Sequence, residues 1–153
     1  MISWPTTEEQ EALCHELIRV RNGQVLGPAA HFIVWVVDNT PVWVVAIDNW
    51  VGKTCQLSQA NVGTRLLPRE FARHVFYYVF DVLKMERVFA LVDSENRTAI
   101  RVNRFVGFEE DFRWPGLGEK GDLIVFGLSR ETCRFIGVQK WEKVGRQRRI
   151  TLN

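Results

Sequence analysis

Two segments dominate what this chain can fold into. His31-Phe32-Ile33-Val34-Trp35-Val36-Val37 and Val42-Trp43-Val44-Val45-Ala46-Ile47 are almost unbroken runs of β-branched and aromatic residues, parted by Asp38-Asn39-Thr40-Pro41. Side chains branched at Cβ, and flat rings, fit a pleated surface better than a helix. A short polar linker with Asp, Asn and Pro between two such runs predicts an antiparallel hairpin. Neither run alternates with polar residues, so both faces of the sheet must be covered.

The rest of the chain supplies the cover. Thr6-Thr7-Glu8-Glu9 opens a helix in which Thr6 and Glu9 have capping-box spacing and Leu13, Leu17 and Val20 share an apolar face; Asn22-Gly23 ends it. A third strand is expected from Thr54 to about Ala60. Pro68 suits the first position of a second helix, where Phe71, Val75, Tyr78, Val79 and Val82 recur at helical spacing through Leu83. Phe76, Tyr77 and Phe80 fill its other side, so this helix should be buried nearly all round. Arg87 to Val92 reads as a strand and Asn96 to Phe105 as a helix closed by Gly107. Phe108 to Trp114 and Asp122 to Leu128 read as two final strands around a glycine-rich, mobile loop at 115–121. The fold class is α/β (α+β): a mixed central sheet of about six strands flanked by helices. Its strand-helix-strand unit at 54–92 demands a right-handed crossover and a locally parallel pair.

Composition excludes several classes. At 153 residues there is room for one compact domain, read as 1–138, with a basic tail at 139–153. The net charge of +2 is too small to advertise a polyanion partner, but residues 136–153 carry five basic residues and one acid, +4, leaving −2 elsewhere. Lys140, Trp141 and Arg146 to Arg149 can meet nucleic-acid phosphates or stand in water as a solvated tail. Cys14, Cys55 and Cys133 have no paired spacing, which points away from a disulfide framework or metal site and toward a reducing, cytoplasmic setting. No leader pattern opens the chain, and no apolar run approaches the ~20 residues that span a bilayer, so no membrane partner is expected.

One stretch carries a family likeness. Asn96-Arg97-Thr98-Ala99-Ile100-Arg101-Val102-Asn103-Arg104-Phe105-Val106-Gly107-Phe108 resembles the N-x-x-A…G-F signature of the GNAT (acyl-CoA N-acyltransferase) superfamily, and Gly121 to Arg130 is similar to that family's last strand. The resemblance covers roughly residues 30–135. It implies an N-acetyltransferase that moves an acetyl group from acetyl-CoA, as co-substrate and without metal, to an amine of a protein or small molecule. It also implies a monomer or homodimer. The cofactor-binding residues carried over are Asn61, Gly63, Thr64, Arg65 and Arg69, with Asn96 either a contact of the CoA arm or simply a helix cap. Asp93 and Glu109 are candidate bases for the amine proton; Asp48, Glu110 and His31 are weaker ones.

The chain departs from the family pattern twice. The usual Q/R-x-x-G-x-G/A phosphate loop is represented by Asn61-Val62-Gly63-Thr64-Arg65-Leu66-Leu67, where Arg65, Arg69 and Arg73 can supply charge that missing glycines do not. Position 103, where many members place a Tyr acid, is Asn. Two other classes resemble the pattern with these departures: non-catalytic accessory proteins, some encoded by phages, and relatives that modify a nucleobase. Cys55 reads as a core residue or, given a base, a nucleophile.

Overall fold

The hairpin forms where the apolar runs require it, on a turn narrower than its four polar residues suggest. The computed structural model describes residues 1–63 and 66–136. In chain order its elements are β1 (Ile2–Ser3), α1 (Glu8–Asn22), β2 (His31–Val37), β3 (Thr40–Val51), β4 (Thr54–Asn61) and α2 (Arg69–Tyr77), which runs into a π-helical turn (Tyr78–Val82). Then follow β5 (Arg87–Asp93), α3 (Arg97–Val106), β6 (Glu109–Trp114) and β7 (Leu123–Ser129). Asp38 and Asn39 alone turn between β2 and β3, both at positive φ, which Asp and Asn tolerate and which matches strand twist.

The strands form one sheet in the order β1-β2-β3-β4-β5-β7-β6. All neighbours are antiparallel except β4 and β5, the parallel pair that the crossover through α2 demands. The expected sheet of about six strands is therefore seven, because the N-terminal pair Ile2–Ser3 bonds to β2 at Trp35 and Val34.

Val42 through Asp48 of β3 are all buried, the outcome that an unalternating apolar strand requires. Trp43, Val45 and Ile47 face a large core shared with Phe71, Val75 and Phe76 of α2. Val44 and Ala46 face a smaller core with Cys14 and Ile18 of α1. Each fully buried Val, Leu, Ile or Phe contributes about 1.5–3 kcal/mol, so the two-sided strand anchors both layers.

Four local expectations are corrected. The cap of α1 is Thr7, whose Oγ1 accepts from Gln10 N, while Thr6 N donates to Gln10 Oε1, so the reciprocal pair sits one residue later than Thr6 and Glu9. The buried stripe of α1 is Cys14 and Ile18 beside a partly buried Leu17, packed on Phe32, Val34, Val44 and Ala46 of the sheet, with Leu13 and Val20 exposed. Pro68 is the cap of α2 rather than its first turn. Beyond Tyr77 the chain widens, with Leu83 N bonding to Tyr78 O at 2.8 Å, five residues back, and the extra residue leaves Val82 half exposed.

Gly107 caps α3 at φ +118, and a Cβ there would lie 2.7 Å from the Thr132 carbonyl oxygen. A Gly107→Ala substitution combines that clash with backbone strain. It should cost about 2 kcal/mol or more in urea unfolding, with an unchanged denaturant slope.

Candidate functional site

The site is a place where a sheet stops pairing. The β4–β5 ladder runs only through Thr54–Arg87, Cys55–Val88 and Gln56–Phe89. On its other side β4 stays bonded to β3 as far as Asn61. On its other side β5 stays bonded to β7 as far as Asp93. Beyond Gln56 the two strands therefore diverge.

The hydrogen-bond phase says which groups face the gap. Val62 N donates to Val42 O at 2.8 Å, so even-numbered β4 residues bond β3 and odd-numbered Leu57, Gln59 and Asn61 turn toward β5. Ser94 N donates to Asp122 O at 2.8 Å, which by the same alternation turns Phe89, Leu91 and Asp93 toward β4. The parallel ladder begins with Arg87 N on Lys53 O, 3.4 Å. Continued past its last pair, it would carry Gln59 N–H to the Leu91 carbonyl. That rung is not made.

Carbonyls facing such a gap need donors. Two side-chain amides from the end of α1 supply them: Gln24 Nε2 donates to Leu91 O at 3.0 Å and Asn22 Nδ2 donates to Gln59 O. Gln24 Oε1 accepts from Gln56 Nε2 at 2.9 Å and from Ser58 Oγ, both on buried residues of β4. Asn49 Nδ2 completes the relay on Gln56 Oε1 at 2.5 Å. The sequence reading missed this neutral network; its trace was Gln56 and Ser58, polar residues on one face of β4 that nevertheless become buried.

The gap opens a cavity of about 330 Å³ between α2 and α3 on one face and the α1 end and the loop after β6 on the other. It is sized for a small ligand, with an apolar wall from α2 and polar groups from the end of α1, from β4, from Asp93 to Asn96 and from Glu119 and Lys120. Phe71, Val75 and Phe76 form one wall, and Asn103 projects from α3. Asn103 is buried, donates Nδ2 to Ala99 O at 2.9 Å, and carries no acidic proton.

The sequence-derived candidates divide by place. Asn61 ends β4, and its Nδ2 donates to the Gly63 carbonyl at 3.0 Å. Gly63 has φ +83 with open space where a Cβ would stand. Thr64 and Arg65 lie outside the described residues, as does the basic tail at 139–153. Arg69 is exposed in the first turn of α2. Pro68, the cap, makes no side-chain bond to that turn. Asn96 caps α3, accepting from Ala99 N at 3.1 Å, and also lines the cavity.

Asp93 lines the cavity too, at the end of β5. Its Oδ2 accepts from Lys120 N at 2.7 Å and Gly121 N at 3.3 Å, and Oδ1 accepts from Glu95 N at 2.8 Å. The Lys120 and Glu95 N–H groups hold its carboxyl below the usual range. Asp93 thus ties down the 115–121 loop, which Asp122 helps by accepting from Gly116 N at 2.9 Å. The loop expected to move freely is pinned at both ends. Glu109 begins β6 at the sheet edge, exposed and not among the residues lining the cavity. Asp48 instead binds Gly27 N at 2.7 Å. His31 pairs its Nδ1 with the Tyr78 hydroxyl at 3.1 Å.

Cys55 is fully buried, and burial pushes its thiol up to about 12, so it stays protonated and inert. Among the described residues no group of three or more His, Cys, Asp or Glu is placed to hold a metal ion. No helix among them is long and apolar enough to cross a membrane.

No family model matches the chain, and no curated protein matches it. Solved structures do. A ribosomal-protein-alanine N-acetyltransferase from Brucella melitensis superposes with TM-score 0.65 at 14% identity, covering 84% of this chain and 99% of that one. An acetyltransferase of the GNAT family from Bacillus anthracis gives 0.56 at 16%, covering 67% and 66%. RimJ from Mycobacterium smegmatis, in complex with CoA-disulfide, gives 0.55 at 19%, covering 67% and 54%. The chain spans under two-thirds of the length of the last two. The shared feature is the fold, and it is the GNAT fold.

Asp93 carries a pH signature. A carboxyl held low in the folded state stabilises above its ordinary value of 3.8, and the contribution fades as pH falls through the lower folded value. The amide protons of Lys120 and Glu95 should titrate together with a midpoint below 3.8 in NMR spectra, and Asp93→Ala should abolish that transition while speeding exchange at Lys120 and Gly121.

Proposed function

We propose that the chain is an acyl-CoA-dependent N-acetyltransferase that catalyses direct attack of an amine on the thioester of acetyl-CoA. The observation that carries this reading is the unmade rung between β4 and β5. It leaves the N–H group of Gln59 aimed into the cavity without a ladder partner, fixed in direction by the β3 pairing on the far side of β4. Backbone donors held this way favour an oxygen that gains negative charge during acyl transfer.

The remaining parts fit around that donor. Phosphates of the co-substrate belong at the first turn of α2, where the cap Pro68 makes no side-chain bond, with Asn61, Gly63, Thr64 and Arg65 before it and Arg69 and Arg73 on it. Leu66, exposed in the loop, offers its backbone but not its side chain to an anion. Asn96 can lend its side-chain amide to the arm that runs along α3 while still capping the helix.

In this reading the amine nitrogen bonds to the thioester carbonyl carbon as the oxygen charges against Gln59 N–H. The C–S bond then breaks, the sulfur takes a proton from water, and the nitrogen releases one to water. Asp93 is the sequence-derived base that borders the cavity, and with its oxygens occupied by N–H groups it acts through water. Asn103 supplies no proton to the sulfur. The missing acid and the leucines before α2 favour a second reading, a protein that binds the ligand without turning it over.

Titration calorimetry with acetyl-CoA tests the assignment. Saturable binding is expected, and Arg69→Ala with Arg73→Ala should weaken it about tenfold or more, since hydrogen bonds to charged groups contribute ~1.5–3 kcal/mol each. Absence of binding at millimolar ligand would sink both readings. Binding with no thiol release in the presence of amines would select the second.

A further inference from the structure

The same unmade rung has a second end. Gln59 N–H is the donor it leaves open, and the Leu91 carbonyl is the acceptor. That acceptor is occupied by the carboxamide of Gln24, a nitrogen carrying two N–H bonds, at 3.0 Å. Chemically, this is the group that an incoming primary amine would present at that place.

We propose that Gln24 is a displaceable gate on the α1 side of the splay, holding the Leu91 carbonyl until an acceptor amine takes its place. The inference rests on the acetyltransferase reading and adds to it the path of the acceptor amine, which enters from the α1 side and displaces Gln24 from the Leu91 carbonyl. Attack requires the amine nitrogen close to a carbonyl carbon whose oxygen lies on Gln59 N–H. The Leu91 carbonyl, which the continued ladder would have joined to that N–H, faces the nitrogen from the opposite strand.

The surroundings suit a gate. Gln24 directly follows Gly23, the left-handed cap of α1 at φ +67, and the next tie to the sheet is Gly27 N on Asp48. Gln24, Val25 and Leu26 lie between those two fixed points, a span short enough to return to one place. The partners of the Gln24 carboxamide are Gln56, Ser58 and a backbone carbonyl. None of them titrates, so the latch closes by hydrogen bonds alone and a donor of equal strength can replace it. Asn22, holding Gln59 O beside it, keeps β4 in position while Gln24 moves.

With the gate shut, water as well as amine is kept from the thioester. Hydrolysis puts a water oxygen on the carbonyl carbon, breaks the C–S bond and yields acetate, CoA thiol and a proton, so thiol release without amine reports the gate. The test compares wild type, Gln24→Ala and Gln24→Met for acetyl-CoA affinity by calorimetry, amine-free thiol release, and thiol release driven by n-butylamine. Gln24→Ala should raise amine-free release about tenfold or more, since its three latching hydrogen bonds are lost together, and lower the KM for n-butylamine, with acetyl-CoA affinity within twofold of wild type. Gln24→Met, which fills the space without bonding Leu91, should keep hydrolysis near wild type and still lower that KM; it decides the matter if the alanine variant does not fold. Unchanged hydrolysis and KM in folded variants that bind acetyl-CoA would overturn the gate alone. A joint loss of acetyl-CoA affinity would overturn it in favour of a purely structural brace. No acetyl-CoA binding by wild type would overturn the enzyme reading and the gate with it.

Discussion

The candidate site depends on the parallel pair β4–β5 ending after three residue pairs. A sheet interior is ordinarily closed to ligands because each strand's N–H and C=O groups are spent on its neighbours. Here the two strands part while each remains bonded along its outer edge. The gap therefore presents backbone groups whose direction is already set, and it does so at the junction of both helical layers.

The divergence is held open by ordinary physical chemistry. Phe71, Val75 and Phe76 of α2 pack at the cavity wall and keep an apolar wedge on one face. On the other face the amides of Asn22 and Gln24 satisfy Gln59 and Leu91 carbonyls that would otherwise be orphaned. Polar residues from the end of the first helix thus maintain a site built chiefly by later strands.

Asp93 shows how a carboxylate in a cavity need not be a free base. Its position at the end of β5 makes it visible to any reading that searches for an acid near the sheet's centre. Its backbone partners also make it an anchor for the 115–121 loop, so a proton can reach it only through water. Glu109, chosen by the same logic, begins a strand that sits at the outer edge of the sheet, beyond β7. Sequence distance from the return of α3 said nothing about which edge that strand would take.

The amino-acid sequence by itself determined the layers. Unalternating β-branched runs forced a two-sided hairpin, helical spacing marked α2, and Asn96 and Gly107 bounded α3, because propensity, capping and periodicity act over a few residues. It located the crossover that makes β4 and β5 parallel, and with it the fold that the solved structures share. It misplaced the first cap by one residue, since Thr6 and Thr7 are chemically equivalent and only the hydrogen bond to Gln10 distinguishes them. Tertiary structure alone decided where the β4–β5 pairing stops, which carbonyls Asn22 and Gln24 reach, and that Asp93 is occupied. Those outcomes turn on groups separated by 27 to 67 residues meeting within about 3 Å, and no local pattern encodes such a meeting.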